Sequence, residues 1–275
     1  MNLGRSKRLV CAAPPKTANL SQHAYNKIRI AIVYAHFDLG EPLSENELAK
    51  AMGISKAPVR NAIRELRLNG LVEIIPQSGT YVFSPTTEEV GELCDFRSLL
   101  ERQALHLGME HNADRLLGEL QAIVHAMSIS FRTIDIFRSK LLDSEFHSTI
   151  VRHSENRFLK SAYERIAPKI EALRHRFMDT ELYRNKAFFE HEQMVKLLQE
   201  RRVQKASGIL EDHISRTKQF QTGVRWSSGR LQRKDYRFRQ YATIFKELEG
   251  LAGQRLTLEP KRDTAELPLA PAKLR

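Results

Sequence analysis

The sequence predicts a mainly α-helical protein built in two parts. Three short helices and a two-stranded hairpin come first, and an all-α antiparallel bundle follows. Three observations predict this order: apolar residues at helical spacing in residues 21–36, helix-start and turn signals between residues 44 and 83, and an almost continuous helical pattern over residues 87–220. Because the turns in the last segment are short, its helices are expected to pack as antiparallel neighbours.

The first part begins with an apolar helical face over residues 21–36. Ser44 and Glu47 then form a capping-box pattern that opens a short helix, and Gly53 ends it. Ser55 is an N-cap candidate for a third helix, which stops at Gly70. The buried stripe of this third helix consists of Val59, Ala62, Ile63 and Leu66.

A hairpin pattern follows the third helix. Residues 71–75 and 80–83 are strand-like, and Pro76-Gln77-Ser78-Gly79 is a turn signal between them. Three helices followed by a short hairpin form the layout of a winged helix-turn-helix, which places its third helix in the major groove of DNA. We therefore predict a DNA-binding domain at residues 21–85.

The net charge of +11 is concentrated at the two ends of the chain. Residues 1–20 form a basic, flexible tail, and residues 221–275 form a basic extension that is expected to be partly disordered; together they supply +10 of the charge. The isoelectric point is therefore weak evidence for DNA binding by the folded domains. Within the extension, residues 235–250 can add a helix, and four aromatic residues suggest packing on the bundle or on a partner: Tyr236, Phe238, Tyr241 and Phe245.

The third helix carries basic residues on the side that faces away from its buried stripe. Arginine and lysine there can reach guanine edges or phosphates, and small residues at a wing tip can approach the backbone of DNA. A solvated basic face on an ordinary helical domain is the alternative. The predicted DNA-binding residues are Ser44, Ser55, Lys56, Ala57, Arg60, Arg64, Ser78, Gly79 and Thr80.

Four residues in the bundle have the spacing of a metal site. Asp143 and His147 are four residues apart and share one helix face. His191 and His213 lie at nearly equal sequence distances from the predicted turn at Arg201-Arg202, so an antiparallel hairpin brings them to the same height. Three imidazoles and one carboxylate suit a divalent cation such as zinc, nickel or manganese. Helical histidines are common, however, and an ordinary structural role is the alternative.

Two stretches resemble known families. Residues 24–82, especially PLSENELAKAMGISKAPVRNAIRELRLNGLVEIIPQSGTYV, are similar to the DNA-binding domain of GntR-family regulators. The resemblance implies that Lys56, Ala57 and Arg60 lie against DNA, with Gly79 at the wing tip. The family commonly has Arg and Thr where this chain has Lys56 and Ala57, and lysine lacks the bidentate fork of arginine. Base readout at this position is therefore expected to differ.

Residues 87–220 resemble the FCD-type ligand-binding domain of FadR-like GntR regulators, in FRSLLE (96–101), LLDSEFH (141–147), Asn156 and residues 190–213. The resemblance implies that Asp143, His147, His191 and His213 bind the metal and that Arg97 pairs with a second carboxylate of an effector. A surface or dimer-interface salt bridge is the alternative for Arg97. The implied protein is a homodimeric regulator, more often a repressor than an activator, which binds a palindromic DNA operator and senses a small organic acid or sugar acid.

Two other functions compete with this one. A metal-dependent hydrolase would need a general base beside a metal-bound water, and the sequence has neither an HExxH-like motif nor paired acids for that role. A nonspecific nucleic-acid binder would depend on the basic tails. With no apolar run of membrane-spanning length, a poor signal peptide and two cysteines, we expect a cytoplasmic protein without a membrane partner that is not an enzyme.

Overall fold

The computed structural model describes the backbone of residues 17–223 and 241–252, and the side chains of residues 20–216 and 241–248. The first part consists of α1 (Thr17–Val33), β1 (Pro42–Leu43), α2 (Glu45–Met52), α3 (Lys56–Leu68), β2 (Val72–Ile75) and β3 (Gly79–Val82). The bundle consists of α4 (Thr87–His111), α5 (Ala113–Thr133), α6 (Ile136–Arg152), α7 (Arg157–Phe177), α8 (Glu181–Gln199) and α9 (Val203–Gly223). A last helix, α10, spans Tyr241–Ala252.

The helix-turn-helix unit has the end signals that the sequence predicts, with one exception. The Ser44 hydroxyl accepts a hydrogen bond from the Glu47 amide, and Gly53 ends α2 in the left-handed conformation at φ 65°. Ser55 has the extended backbone of an N-cap, but its side chain makes no capping hydrogen bond. The Ser55 hydroxyl can therefore contact another group without breaking a hydrogen bond to the helix.

The wing belongs to a three-stranded antiparallel sheet in the order β1-β3-β2, whereas the sequence predicted two strands. Pro42 pairs with Tyr81 and Leu43 with Thr80, while Val72 pairs with Val82. A two-residue strand is too short to show an alternating pattern, which explains why β1 was missed. The extra strand attaches the root of the wing to the segment between α1 and α2.

The bundle is helical throughout, as the continuous pattern over residues 87–220 predicts. A full capping box of Thr86 and Glu89 begins α4. Helix α5 continues to Thr133, and Ile134 ends it at φ 54°. Asp135 then caps α6 by accepting from the Arg138 amide at 2.9 Å. Helices α4, α6, α8 and α9 pack around the interior of the bundle.

The ends of the chain differ from the predicted tails where they are described. Helix α1 begins at Thr17, inside the predicted flexible segment 1–20. Helix α10 packs on α1 and α2 of the helix-turn-helix unit, whereas the sequence suggested packing on the bundle or on a partner. The Phe37 ring lies 5.3 Å from Tyr241 and 6.5 Å from Phe245, centroid to centroid. Tyr236, Phe238 and the expected disorder at 259–275 lie outside the described residues.

Candidate metal centre and DNA-binding surface

Helix α3 separates an apolar face from a basic one. Val59, Ala62, Ile63 and Leu66 are buried in the core shared with α1, as the spacing predicted. The predicted DNA-binding positions on the helix are all exposed: Lys56, Ala57, Arg60 and Arg64. The structure thus leaves this side of α3 open for a duplex.

An ion pair already holds one of these cations. Arg60 Nε lies 3.1 Å from Glu45 Oε2, in the first turn of α2. The pair joins the first two helices of the DNA-binding unit across their exposed side. Because both side chains are partly exposed, the pair itself adds little stability. Its effect is to orient Arg60 and to reduce the positive potential that a phosphate would meet there.

The wing tip is small, exposed and fixed by a tyrosine. The Tyr81 hydroxyl lies 2.8 Å from Ser78 Oγ and 3.1 Å from the Ser78 carbonyl oxygen. Gln77 and Gly79 have φ of 59° and 137°. The turn therefore depends on a glycine at position 79, since other residues are strained at that φ. Ser78, Gly79 and Thr80 lie at one end of the sheet, at the wing tip, where the sequence predicted contacts with DNA.

The four residues predicted from spacing converge inside the bundle. Helix α6 supplies Asp143 and His147, while α8 supplies His191 and α9 supplies His213. One ligand atom from each residue lies within 4.8 Å of all the others, and all four side chains are buried. His191 Nε2 and His147 Nε2 lie 3.7 and 4.0 Å from Asp143 Oδ1. This arrangement has the ligand types and the compactness of a site for a divalent cation.

Several polar atoms of this cluster have no hydrogen-bond partner among the described residues. Nε2 of each of the three histidines is buried without a hydrogen bond, and so are both carboxylate oxygens of Asp143. Asp143 Oδ2 does have a charged neighbour, since Arg174 Nε lies 2.6 Å away as an ion pair. Buried polar atoms without partners are costly, and several facing one another indicate a missing cation or water. The residues present therefore fit a divalent metal.

Carboxylates outside the cluster orient two of the imidazoles. His147 Nδ1 lies 2.7 Å from Glu101 Oε2, and His213 Nδ1 lies 2.9 Å from Glu190 Oε2. A carboxylate accepts only, so each Nδ1 carries the hydrogen and each Nε2 presents its lone pair to the cluster. The His191 ring stacks on Phe146, with centroids 4.2 Å apart. Sequence spacing did not identify Glu101 or Glu190.

Two of the imidazoles, those of His147 and His191, are held in the neutral form that a metal requires. Burial lowers the pKa of His147 well below its usual range, and the positive charges of Arg97 and Arg174 lower it further. Burial likewise lowers the pKa of His191, with further contributions from His213 and His147. At neutral pH these rings are therefore uncharged, and a cation does not have to displace protons from them.

Arg97 is buried beside the cluster, which contradicts the alternative of a surface or interface salt bridge. Its side chain is 1% exposed, and Nε lies 2.6 Å from Glu101 Oε1. Glu101 thus joins Arg97 to His147. Arg97 Nη2 is buried without a hydrogen-bond partner among the described residues, as is Nη1 of Arg174. Two guanidinium groups with unused donors therefore accompany the ligand atoms.

A cavity of about 390 Å³ adjoins the cluster. Asp143 and His191 contribute to its wall, together with apolar side chains such as Met127, Phe131 and Phe188. Arg97 is not among the residues that line this cavity. A second cavity of about 460 Å³, lined by residues including Gln193 and Lys205, contains none of the ligand residues.

The fold and these two sites define a class of protein, a winged helix-turn-helix DNA-binding unit joined to a helical ligand-binding domain. Residues 20–82 match the family described as bacterial regulatory proteins, gntR family, and residues 92–216 match the FCD domain. These two matches cover more than half of the chain. The chain belongs to the GntR family of transcriptional regulators, in the group that carries an FCD domain.

Curated relatives have names that agree with this assignment. The chain is 27% identical over 146 residues to the gluconate operon transcriptional repressor of Bacillus licheniformis, covering 53% of this chain and 60% of that protein. It is 30% identical over 146 residues to an uncharacterised HTH-type transcriptional regulator of Bacillus subtilis, covering 52% and 64%. The matches thus span less than two thirds of these relatives. The family and its named relatives are regulators and not enzymes, so the hydrolase alternative is wrong.

Solved structures show the same fold. A GntR-type regulator from Rhodococcus superposes with a TM-score of 0.66 at 18% identity, covering 75% of this chain and 99% of that chain. The Escherichia coli protein McbR/YncC gives a TM-score of 0.60 at 18% identity, covering 74% and 96%. Within the described residues, no helix combines the length and the hydropathy that crossing a membrane requires.

Proposed function

We propose that the protein is a transcriptional repressor that binds a palindromic DNA operator as a homodimer and responds to a small carboxylate at a metal in its helical domain. Such a protein works in the cytoplasm, where the operator is. One observation supports the response to an effector: Asp143, His147, His191 and His213 converge inside the bundle, and Nε2 of each histidine is buried there without a hydrogen-bond partner. The exposed basic side of α3 supports the DNA-binding half.

Charge balance supports an anionic effector. Around the cluster there are three negative charges, on Glu101, Asp143 and Glu190. Three positive charges balance them, on the paired residues Arg97, Arg174 and Arg216. A histidine that binds a cation through Nε2 does so as a neutral imidazole and adds no charge, so a divalent cation gives this buried region an excess of two positive charges. An uncompensated buried charge is expensive. A carboxylate that enters with the cation reduces the excess, and a dicarboxylate removes it.

Arginine donors support a second point of attachment for such an effector. Arg97 Nη2 and Arg174 Nη1 are buried and have no hydrogen-bond partners among the described side chains and backbone. An Arg–carboxylate hydrogen bond is charge-assisted and strong in a buried site. The role of Arg97 as an effector ligand stays a proposal, which these unused donors support. The metal, when bound, supplies positive charge and open coordination positions for the effector's carboxylate.

The DNA-binding half is tested by selecting duplexes from a random library and measuring their affinities by fluorescence anisotropy. We expect a palindromic sequence, because a two-fold dimer presents two copies of α3 to half-sites about one helical turn apart. Light scattering should give twice the chain mass of 31.7 kDa. Equal affinities for selected and random DNA at moderate salt would contradict the proposal.

A charge-neutralised variant separates specific binding from binding by the tails. Glutamine is substituted for the basic residues of segment 224–240, which leaves α10 in place: Arg225, Arg230, Arg233, Lys234, Arg237 and Arg239. A specific regulator keeps its preference for the selected palindrome in this variant. Loss of all binding would instead support a nonspecific binder that depends on the basic extension.

The metal is tested by elemental analysis of the purified protein. We expect about one zinc, nickel or manganese ion per chain, since the described residues contain one set of four ligands. His147→Ala and His191→Ala should lose the ion. His125→Ala is the matched control, because His125 is exposed on α5 and belongs to no ligand cluster of the described residues. A full complement of metal in the two ligand variants would show that the cluster is not the site.

A further inference from the structure

Asp143 has charged contacts on two sides. Its Oδ1 lies 3.7 Å from His191 Nε2, on the side of the ligand cluster, whereas its Oδ2 lies 2.6 Å from Arg174 Nε in α7. Both residues are 1% exposed. A cation that shares this carboxylate also repels the guanidinium behind it, and buried charges a few ångströms apart interact strongly. The state of the ligand cluster therefore affects the position of Arg174.

Arg174 is the first member of a chain of hydrogen bonds. Its Nη2 donates to Ser144 Oγ at 2.9 Å, and Ser144 Oγ lies 3.0 Å from His175 Nε2. His175 Nδ1 lies 3.1 Å from the carbonyl oxygen of Val33. These contacts join α6 and α7 of the bundle to α1, which belongs to the DNA-binding unit.

The chemistry of the groups limits the direction of each hydrogen bond. Burial lowers the pKa of His175 well below its usual range, so the ring is neutral and carries one hydrogen. That hydrogen has a carbonyl acceptor on either side, because Nδ1 lies 3.1 Å from the Val33 oxygen and Nε2 lies 3.2 Å from the Lys140 oxygen. In the Nδ1–H tautomer, Nδ1 donates to Val33 and Nε2 accepts from the Ser144 hydroxyl, whose oxygen accepts from Arg174. This tautomer joins the three contacts in one chain.

The chain ends at the C-terminus of α1, where helix carbonyls need donors. Val33 is the last residue of α1, and the Phe37 amide, which would bond Val33 in a continuing helix, bonds Ala31 instead. The Nδ1–H tautomer of His175 supplies a donor to this end, and its ring stacks on Tyr34 with centroids 4.8 Å apart.

A second side chain of α7 holds the same end of α1. Arg176 Nη1 donates to the Ile32 carbonyl at 3.2 Å, and Nη2 donates to the Phe37 carbonyl. Burial lowers the pKa of Arg176 to about 10, so the guanidinium stays charged at neutral pH. Cations at a helix C-terminus are favourable, because the carbonyls there carry partial negative charge. The contact between the bundle and the DNA-binding unit therefore includes hydrogen bonds from α7 to the C-terminus of α1.

Helix α1 is in turn fixed to the DNA-reading helix. Its apolar residues, such as Ile28 and Ile32, share a core with Val59 and Ile63 of α3. Asn69, directly after α3, donates a hydrogen bond to the Tyr25 hydroxyl at 3.0 Å. A shift at the C-terminus of α1 is therefore carried to α3 as a rigid-body movement.

We propose that Ser144, Arg174 and His175 are positioning residues that transmit the ligand state of Asp143 to the C-terminus of α1, and through it to the orientation of α3. This inference rests on the proposed function, because it requires a cation at the four-residue cluster. None of the four ligands is needed to make the Ser144 and His175 contacts. These two residues can therefore be changed while the ligand set stays complete.

Hydrogen exchange measured by mass spectrometry, with calorimetry of metal binding in parallel, tests the proposal. The probes are zinc, nickel and manganese ions, each added to EDTA-treated protein. In the unmodified protein we expect metal binding to change the exchange rates of the amides in residues 30–40 by about fivefold or more, a typical coupling between two sites. Ser144→Ala should bind metal with nearly the same affinity but lose this change.

Three further variants make the outcome specific. Ser144→Thr keeps the hydroxyl and should behave like the unmodified protein. Thr149→Val removes a buried hydroxyl from the same helix, one that is hydrogen-bonded to Glu145 and Arg152, and should also keep the response. His175→Phe keeps a ring against Tyr34 without hydrogen bonds, and should lose the response even if Ser144→Ala does not fold.

Each contrary result has a distinct meaning. If none of the three ions binds the unmodified protein, calorimetry overturns the metal centre and the transmission with it. If a metal binds but exchange in residues 30–40 does not respond, the transmission is wrong while the metal centre stands. Full response in both Ser144→Ala and His175→Phe would likewise overturn the roles of these residues.

Discussion

The Glu101 carboxylate joins two functional side chains, because Oε2 accepts from His147 Nδ1 at 2.7 Å while Oε1 lies 2.6 Å from Arg97 Nε. It thus orients a predicted metal ligand with one oxygen and holds a candidate effector ligand with the other. All three residues are buried, and Glu101 and Arg97 occupy successive turns of α4. The first prediction follows from this pair of contacts.

Glu101→Gln should weaken metal binding by about 10- to 100-fold, which is typical for a group that orients a metal-bound histidine. The amide keeps the size of the carboxylate but removes its charge, so His147 loses its strongest acceptor and Arg97 its counter-ion. Calorimetric titration with zinc measures the affinity. Glu145→Gln, on α6 and paired with Arg152 near the surface, is the control and should bind like the unmodified protein. An unchanged affinity for Glu101→Gln would show that Glu101 does not set the orientation of His147.

Stability without metal should decrease as the pH falls below about 6.5, the usual pKa of histidine. His147, His175 and His191 have pKa values well below that range in the folded protein, because burial disfavours their charged forms. Between the unfolded and the folded pKa, only the unfolded chain takes up these protons. Each such histidine therefore lowers the free energy of unfolding by about 1.4 kcal/mol per pH unit in that window.

Urea unfolding in EDTA at several pH values measures this slope. His175→Phe removes one of the three groups, and its slope should be shallower by about 1.4 kcal/mol per pH unit. His125→Gln, at an exposed position of α5, is the control for removing a histidine as such. A stability that stays constant from pH 7.5 to 5.5 would mean that the buried imidazoles take up protons in the folded state.

Arg60 and Arg64 should respond differently to DNA, since Glu45 already pairs with Arg60. Glu45→Gln frees Arg60 and removes a negative charge from the DNA-binding surface, so affinity should rise. Arg64→Ala should weaken binding and reduce the slope of log affinity against log salt by about 1 if it contacts a phosphate. Anisotropy titrations at several salt concentrations measure both effects. Arg115→Ala, on the exposed side of α5, is the control; a loss equal to that of Arg64→Ala would assign the effect to total charge.

Helix α10 should stabilise the DNA-binding unit and not the metal centre. Phe245 is 2% exposed and packs against Phe37, so Phe245→Ala should cost about 3–5 kcal/mol, as for a large buried aromatic residue. Hydrogen exchange should increase in residues 20–85, while zinc affinity stays the same. Lys246→Ala, at the next and exposed position, is the control. Unchanged exchange in that region for Phe245→Ala would show that α10 does not support the unit.

Local patterns predicted most of the fold and the four-residue cluster. The spacing of Asp143 and His147 placed both on one helix face, and the equal distances of His191 and His213 from their turn placed them side by side. Such relations follow from helix geometry alone. The order of helices and the glycine-tipped wing likewise follow from caps, turns and apolar periodicity.

The contacts that were missed join residues far apart in the sequence. His175 and Val33 are separated by 142 residues, and neither has a local pattern that refers to the other. The same holds for Glu101 and His147, which are 46 residues apart. Helix α10 was expected on the bundle or on a partner, because its aromatic residues indicate only that one face is buried, and not against which surface. Which residues or surfaces meet across such distances in the sequence depends on tertiary packing, and the periodicity of the sequence does not encode it.

The measurement that tests the central claim most directly is the affinity for the selected palindromic duplex in three states: EDTA-treated protein, metal-loaded protein, and metal-loaded protein with a dicarboxylate such as malonate. A sensor whose metal centre is coupled to α3 should show affinities that differ by about fivefold or more between at least two of these states. His191→Ala should give one affinity in all three. Identical affinities for the unmodified protein, with metal and dicarboxylate binding verified by calorimetry, would contradict the account.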